Sequence, residues 1–131
     1  MGKCHYPTID MSDIESIQKV VANGWFTHSK RCNEFERTVR EWNGTKHALF
    51  TTSGSSASLL AIASLTSWKL GSRRLMRGDR VMTSALAFPT TIAPIVQLGL
   101  HAVFVDVSFP TCNVTLDTIK KNFTSDIKAL V

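Results

Sequence analysis

A parallel α/β fold is predicted for this chain by three observations. From His47 onward, short apolar runs alternate with helical stretches. A turn rich in glycine and serine joins the first apolar run to the first helical stretch. Composition completes the case: hydrophobic residues make up 44% of the 131 residues and charged ones 19%, a balance that builds a core rather than a disordered chain. Strand, helix, strand is the alternation of a parallel sheet with right-handed crossovers.

The first 46 residues read as a separate helical segment, 1–46, ahead of an α/β region, 47–131. Ser12-Asp13-Ile14-Glu15 has the pattern of a capping box, in which the serine hydroxyl takes a free amide and Glu15 reaches back to the cap. Ile14, Ile17 and Val21 follow at helical spacing, and Asn23-Gly24 ends the helix. Trp25-Phe26-Thr27 is an extended link. Phe35, Val39 and Trp42 mark a second amphipathic helix that Asn43-Gly44 stops.

In the second region Ala48-Leu49-Phe50-Thr51 reads as a short buried strand. Ala57 to Leu65 is apolar on nearly every face, the pattern of a helix buried in a larger protein. Val81-Met82-Thr83 is the next strand, entered through the turn Arg77-Gly78-Asp79. Phe88-Pro89 opens a helical stretch that runs to Leu98 and closes at Gly99, with Pro94 expected to kink it or delay its start. Val103 to Val107 is a third strand, Leu116 to Phe123 a helix, and Ile127 to Val131 the start of a fourth strand. A sheet interrupted inside a strand reads as a domain cut short.

No apolar run reaches the length of a membrane span, and Met1 to Pro7 lacks the apolar stretch of a secretory signal, so the cytoplasm is the expected compartment. Cys4, Cys32 and Cys112 are odd in number and widely spaced, which argues against a disulfide framework or a structural zinc site. Cys4-His5 is an isolated pair near the start. Of the formal net charge of +5, much is concentrated in Lys69, Arg73, Arg74, Arg77 and Arg80, opposed locally by Asp79. Trp68 is the one aromatic among them and no nucleic-acid reading motif accompanies it, so a solvated connecting loop is expected. A groove for an anionic substrate is the other reading.

Two elements carry candidate chemistry. Ser53-Gly54-Ser55-Ser56 lies between an apolar run and an apolar helix, where amides point outward at the positive end of the helix dipole. Gly54 lets an anion approach the backbone, and Ser55 and Ser56 add hydroxyls. The motif lacks the lysine of a Walker loop and the glycine spacing of a dinucleotide site, and a tight turn with capping serines is the alternative. The second element is Ala87-Phe88-Pro89-Thr90-Thr91, beyond the Val81–Thr83 strand. Parallel sheets seat ligands past the carboxyl ends of their strands, so Phe88 is placed to stack on a flat aromatic cofactor or to join the core.

These residues, with several others in order, resemble a known family. GWFT at Gly24 to Thr27, FE at Phe35-Glu36, TTSGSSASLLAIASLTS at Thr51 to Ser67, GDRV at Gly78 to Val81, FPTTIAPIVQLGL at Phe88 to Leu100, FVDV at Phe104 to Val107 and TCN at Thr111 to Asn113 resemble the N-terminal half of the StrS/DegT-type sugar aminotransferases. The resemblance implies the three-layer, parallel-sheet large domain of the pyridoxal-phosphate-dependent aspartate aminotransferase fold (fold type I), here truncated. Within that superfamily SGSSA, the basic insert Ser67 to Arg80 and FPTT are most similar to the CDP-4-dehydro-6-deoxyglucose 3-dehydratases of deoxysugar and lipopolysaccharide biosynthesis.

Carried over residue by residue, the resemblance implies that Gly54, Ser55 and Ser56 hold the phosphate of pyridoxal or pyridoxamine 5'-phosphate and that Phe88 stacks on its ring. Trp25 and Thr27 match a segment near a nucleotide-sugar substrate. The aspartate that pairs with the pyridine nitrogen, the Lys or His at the Schiff-base position and the ligands of the iron–sulfur cluster found in some members are expected beyond Val131. No catalytic acid or base and no metal ligand is therefore assigned here. The whole protein is expected to be a homodimer without nucleic-acid or membrane partners. A sugar-nucleotide aminotransferase, or a catalytically inert truncated paralogue, is the alternative. Three positions depart from the family pattern: Arg80 in place of an acidic residue, Ser29 in place of glycine, and Thr115 in place of aspartate.

Overall fold

The computed structural model describes residues 8–131, so Met1 to Pro7, with Cys4 and His5, lie outside the described residues. Two compact units divide the chain between Phe50 and Thr51.

The first unit carries helices α1 (Met11–Ala22) and α2 (Lys30–Asn43). The cap of α1 is Asp10, not Ser12. The Asp10 carboxylate accepts from the Ser12 and Asp13 amides, and the Asp13 carboxylate accepts from the Asp10 amide. An Asp-x-x-Asp box two residues earlier outcompetes the serine because a carboxylate oxygen takes two amides at once. The Ser12 hydroxyl donates to the same carboxylate, and that bond, followed by the amides, holds the Asp10 carboxyl below its ordinary pKa. Helix α2 ends as expected, on Gly44 at φ +63°. Neither helix buries a residue.

Residues 48–51 are not a strand. A strand exists through its ladder, and no described residue pairs with this segment. The Phe50 amide instead donates to Glu36 Oε1 at 2.8 Å, and the Phe50 ring meets Phe35 edge-on at 5.3 Å. Leu49, expected in a core, is 74% exposed.

The second unit holds helix α3 (Gly54–Ser64), a 3-10 turn over Trp68–Arg73, strand β1 (Arg80–Ser84), helix α4 (Pro89–Gln97), strand β2 (His101–Val105), helix α5 (Leu116–Asn122) and strand β3 (Ile127–Leu130). Three parallel strands, rather than four, form a sheet in the order β2-β1-β3. Strand β2 begins two residues before the expected Val103. Helix α4 runs through Pro94 without a break, and Pro94 is fully buried although its ring costs the helix one amide bond.

Successive strand residues face opposite sides of the sheet, and the two cores follow that alternation. Val81 and Ala102 pack with Ile62 of α3 and Ile95 of α4 on one face. Met82, Val103 and Val105 pack with Ile119 of α5 on the other. The result is helix, sheet, helix. In β3 the pairing skips from Arg80–Ile127 to Val81–Ala129, a bulge that turns Ile127 to the α5 face and Ala129 to the α3 and α4 face. Helix α3 is less buried than its sequence implies. Only Ile62 is fully covered, while Leu59, Leu60 and Leu65 remain more than a third exposed. Gly99, which closes α4, sits at φ +71°, a conformation that favours glycine, and a Cβ there would also press on the end of the flexible Arg77 side chain at 3.0 Å.

The basic cluster is dispersed by its environment. Arg77 covers Gly99, Arg80 donates to Asp126 Oδ2 at 2.7 Å, and Asp79 accepts from the Met76 amide. Two of the three departures from the family pattern have structural roles. Arg80 ties the start of β1 to the residue before β3, and Thr115 caps α5 by accepting from the Thr118 amide. Ser29, at φ −141°, stands in a conformation open to any residue.

Candidate functional site

Gly54, Ser55 and Ser56 form the first turn of α3 itself rather than a turn ahead of it, with Ser53 as the cap. The Ser53 hydroxyl oxygen accepts the Ser56 amide at 3.1 Å. The Ser53 carbonyl accepts the Ala57 amide at 3.0 Å. The Gly54 and Ser55 amides have no acceptor among the described residues, and no acidic side chain occupies the first turn. Two amides at an uncompensated dipole end are therefore left without protein acceptors, and a Cβ built on Gly54 would meet nothing within 4 Å. Ser56 is less free than its neighbours. Its hydroxyl sits 3.1 Å from that of Ser53 and 3.3 Å from that of Thr52.

Helices α3 and α4 border one groove of about 210 Å³, lined by Ser55, Ser56 and Leu59 on one side and, on the other, by α4 from Thr90 through Ala93 and Pro94 to Gln97 at its far end; Gly54 does not line it. Thr90 follows the carboxyl end of β1 by six residues, so the cradle lies at the end of the sheet where parallel strands seat ligands. Phe88 caps α4 and is 77% exposed, so it is not a core residue, but its ring does not line this groove. The sequence pattern names Thr90 within the Ala87–Thr91 element but gives a role only to Phe88, because the place of Thr90 beside Ser55 depends on helix packing that periodicity alone does not fix. Thr83 was also unmarked. It is fully buried, and its hydroxyl has no partner among the described residues.

In the first unit, Trp25 is 62% exposed, and its indole nitrogen donates to the His28 carbonyl at 3.2 Å. It borders a cleft of about 690 Å³ whose wall includes His28, Lys30 and Arg31. Thr27 is exposed and does not line that cleft. Glu36, the second residue of the FE pair, fastens the end of this unit. Its carboxyl lies below the ordinary pKa chiefly because it accepts the Phe50 amide, with His28 at 3.6 Å adding to the effect.

A parallel sheet between helix layers, with a free helix mouth at its carboxyl end, is the architecture of phosphate-binding α/β enzymes. The chain belongs to the DegT/DnrJ/EryC1/StrS aminotransferase family, whose sequence pattern matches residues 7–131. It is 43% identical over 123 residues to the lipopolysaccharide biosynthesis protein RfbH of Salmonella typhimurium, covering 94% of this chain and 28% of that protein. It is 50% identical over 97 residues to the dTDP-4-dehydro-2,6-dideoxy-D-glucose 3-dehydratase of Saccharopolyspora spinosa, covering 74% of this chain and 21% of that one. In three dimensions it matches an E. coli GDP-4-keto-6-deoxy-D-mannose-3-dehydratase, solved with bound hydrated PLP, at a TM-score of 0.85 and 32% identity. That match covers 95% of this chain and 32% of the other. The fold expected from the resemblance, the α/β fold of the fold-type-I sugar enzymes, is the one observed, over about a third or less of the relatives' length.

Proposed function

We propose that this chain forms the cofactor-phosphate cradle of a pyridoxal- or pyridoxamine-phosphate-dependent enzyme of deoxysugar biosynthesis, most similar in kind to the nucleotide-sugar 3-dehydratases. The observation that carries this reading is the mouth of α3, where the Gly54 and Ser55 amides lack protein acceptors and no side chain crowds the glycine. Such a mouth fits a phosphate dianion. Ser55 adds a hydroxyl from the same turn, and Thr90 borders the same groove from α4. Phe88, exposed at the start of α4, is the residue proposed to cover the ring. When bound, the cofactor supplies the electron sink for removing the C3 hydroxyl of the sugar; the protein supplies orientation and charge placement.

The relatives named for 3-dehydration support that reaction over transamination, and RfbH supports a place in lipopolysaccharide assembly. Their nucleotides differ, so a CDP-sugar is the finer part of the proposal. Trp25, beside a cleft walled by Lys30 and Arg31, is proposed to face the nucleotide sugar, with Thr27 close in sequence. The whole enzyme is proposed to work as a cytoplasmic homodimer. No described helix is long and apolar enough to cross a membrane.

The test is binding rather than turnover. Pyridoxamine 5'-phosphate and pyridoxamine are dialysed against the purified chain and measured by their own fluorescence. Binding that requires the phosphate, competes with inorganic phosphate and falls at least tenfold in Ser55→Asp is the expected result. Equal retention of the two vitamers, or no effect of Ser55→Asp, would falsify the cradle.

A further inference from the structure

We infer that the turn over Trp68–Arg73, with Arg74 beside it, is a docking surface for an acidic segment of another protein. It is what remains of the basic cluster once Arg77 covers Gly99 and Arg80 is tied to Asp126. Lys69 and Arg73 are exposed, Arg74 is half-buried, and Trp68 is 75% exposed. No acidic residue occurs in the sequence between Glu41 and Asp79, and the Asp79 carboxylate accepts the Met76 amide. Among the described residues no ion pair within 4.0 Å engages Lys69, Arg73 or Arg74. A 3-10 turn rises about 2 Å per residue, which puts Lys69 and Arg74 roughly 10 Å apart along the chain. Screening at physiological salt acts over about 8 Å, so neighbouring members of the trio repel one another. Carboxylates from outside relieve that repulsion.

The turn is held in shape before any partner arrives. Ser67 caps it by accepting the Lys69 amide, the Leu70 amide donates to the Ser67 carbonyl, and the Arg74 amide donates to that of Gly71. Leu75, the next residue, is buried in the core, and its amide donates to the Leu65 carbonyl at 2.8 Å. A fixed turn loses little freedom on docking. Composition points to a protein partner. Trp, Met and Arg are enriched in protein interfaces and Lys is depleted. Here Trp68, the half-exposed Met76 and two arginines stand with one lysine. Planar guanidinium groups match carboxylates two oxygens at a time. Single-stranded nucleic acid calls for successive stacking rings, and no aromatic follows Trp68 before Phe88. Membrane-surface helices bury an extended apolar face, and this turn has six residues.

Trp68 reports docking through its indole N–H resonance, the one missing from the Trp68→Phe spectrum. The full 131-residue chain is titrated at low salt with a twelve-residue repeat of Glu-Glu-Leu and with its Lys-Lys-Leu counterpart. The Trp68 signal should move saturably with the acidic peptide alone. Affinity should fall at least tenfold in Arg73→Glu but less than twofold in Lys121→Glu, which makes the same change of charge at an exposed position on α5. Should Arg73→Glu lose its backbone dispersion, Lys69→Glu takes its place with the same threshold. Linear movement, or equal losses in the patch and α5 variants, overturns the surface. Tighter saturation by a twelve-nucleotide polythymidine strand or by phosphatidylserine vesicles overturns the choice of a protein partner. A Trp68 signal that shifts when the chain alone is diluted overturns it in favour of a second copy. None of these readouts involves Gly54 or the groove of Ser55 and Thr90, so this inference fails or stands independently of the proposed function.

Discussion

Residues 8–50 and residues 51–131 place their apolar side chains in opposite ways. The second unit contains every fully buried hydrophobic residue of the described chain, from Ile62 to Ile127. The first has amphipathic helices just as clearly patterned, yet Ile17 is 59% exposed, Phe35 54% and Trp42 87%. An apolar stripe determines which face of a helix seeks cover, not what covers it. In the second unit the cover is local, because each crossover lays its helix back on the sheet it has just left. In the first unit two helices and a short link offer no sheet to lie against.

That contrast gives the largest expected effect. Ile95→Ala removes a fully buried side chain from the core shared by α3, α4 and the sheet and should cost about 2–5 kcal/mol. Ile17→Ala, on the exposed stripe of α1, should change stability by no more than about 0.5 kcal/mol. Urea unfolding followed by circular dichroism measures both. A cost for Ile17→Ala as large as that for Ile95→Ala would show that the first unit has a core after all.

Helix caps sharpen the same comparison at smaller scale. Ser53 holds the Ser56 amide at the start of α3, and Ser53→Ala should cost about 1 kcal/mol. Ser29, at the equivalent place in α2, makes no side-chain cap bond, so Ser29→Ala should be nearly neutral. Equal costs at the two positions would mean that cap identity, rather than the bond it makes, sets helix stability here.

The parts of the fold visible in the sequence were those fixed by local chemistry. The Gly44 and Gly99 stops, the α4 start at Pro89 and the α5 span over Leu116–Asn122 all follow from backbone preferences within a few residues. The errors arose where a distant partner decides. Ala48 to Thr51 has strand composition but no ladder partner, and the Phe50 amide turned to Glu36, fourteen residues back. Asp10 takes the cap from Ser12 because two acceptors of similar rank compete two residues apart. At the candidate site, Gly54 and Ser55 were legible because a helix mouth is a property of one segment. Thr90 was not, because its place beside Ser55 is set by the packing of α3 on α4.

The smallest expected effect contrasts the electrostatic ties of the two units. Asp126, beside Thr124 and Arg80, has its pKa lowered from 3.8 to about 2, with the Thr124 hydroxyl as the main cause and Arg80 second. Glu36 lies below 4.5, mainly through the Phe50 amide. For both, the folded pKa lies beneath the unfolded one, so the folded state binds fewer protons and the stabilisation is present above the unfolded value. It is lost as pH falls: for Asp126 between about 4 and 2, and for Glu36 beginning below 4.5. Asp126→Asn should therefore flatten the acid limb of unfolding measured from the second unit and leave the Phe50 amide exchange rate unchanged. Glu36→Gln, which keeps an acceptor for that amide but not the charge, should do the reverse: faster Phe50 exchange near neutral pH and less change on acidification. Were either substitution to alter both readouts together, the two units would be coupled through more than the backbone that joins them at Phe50 and Thr51.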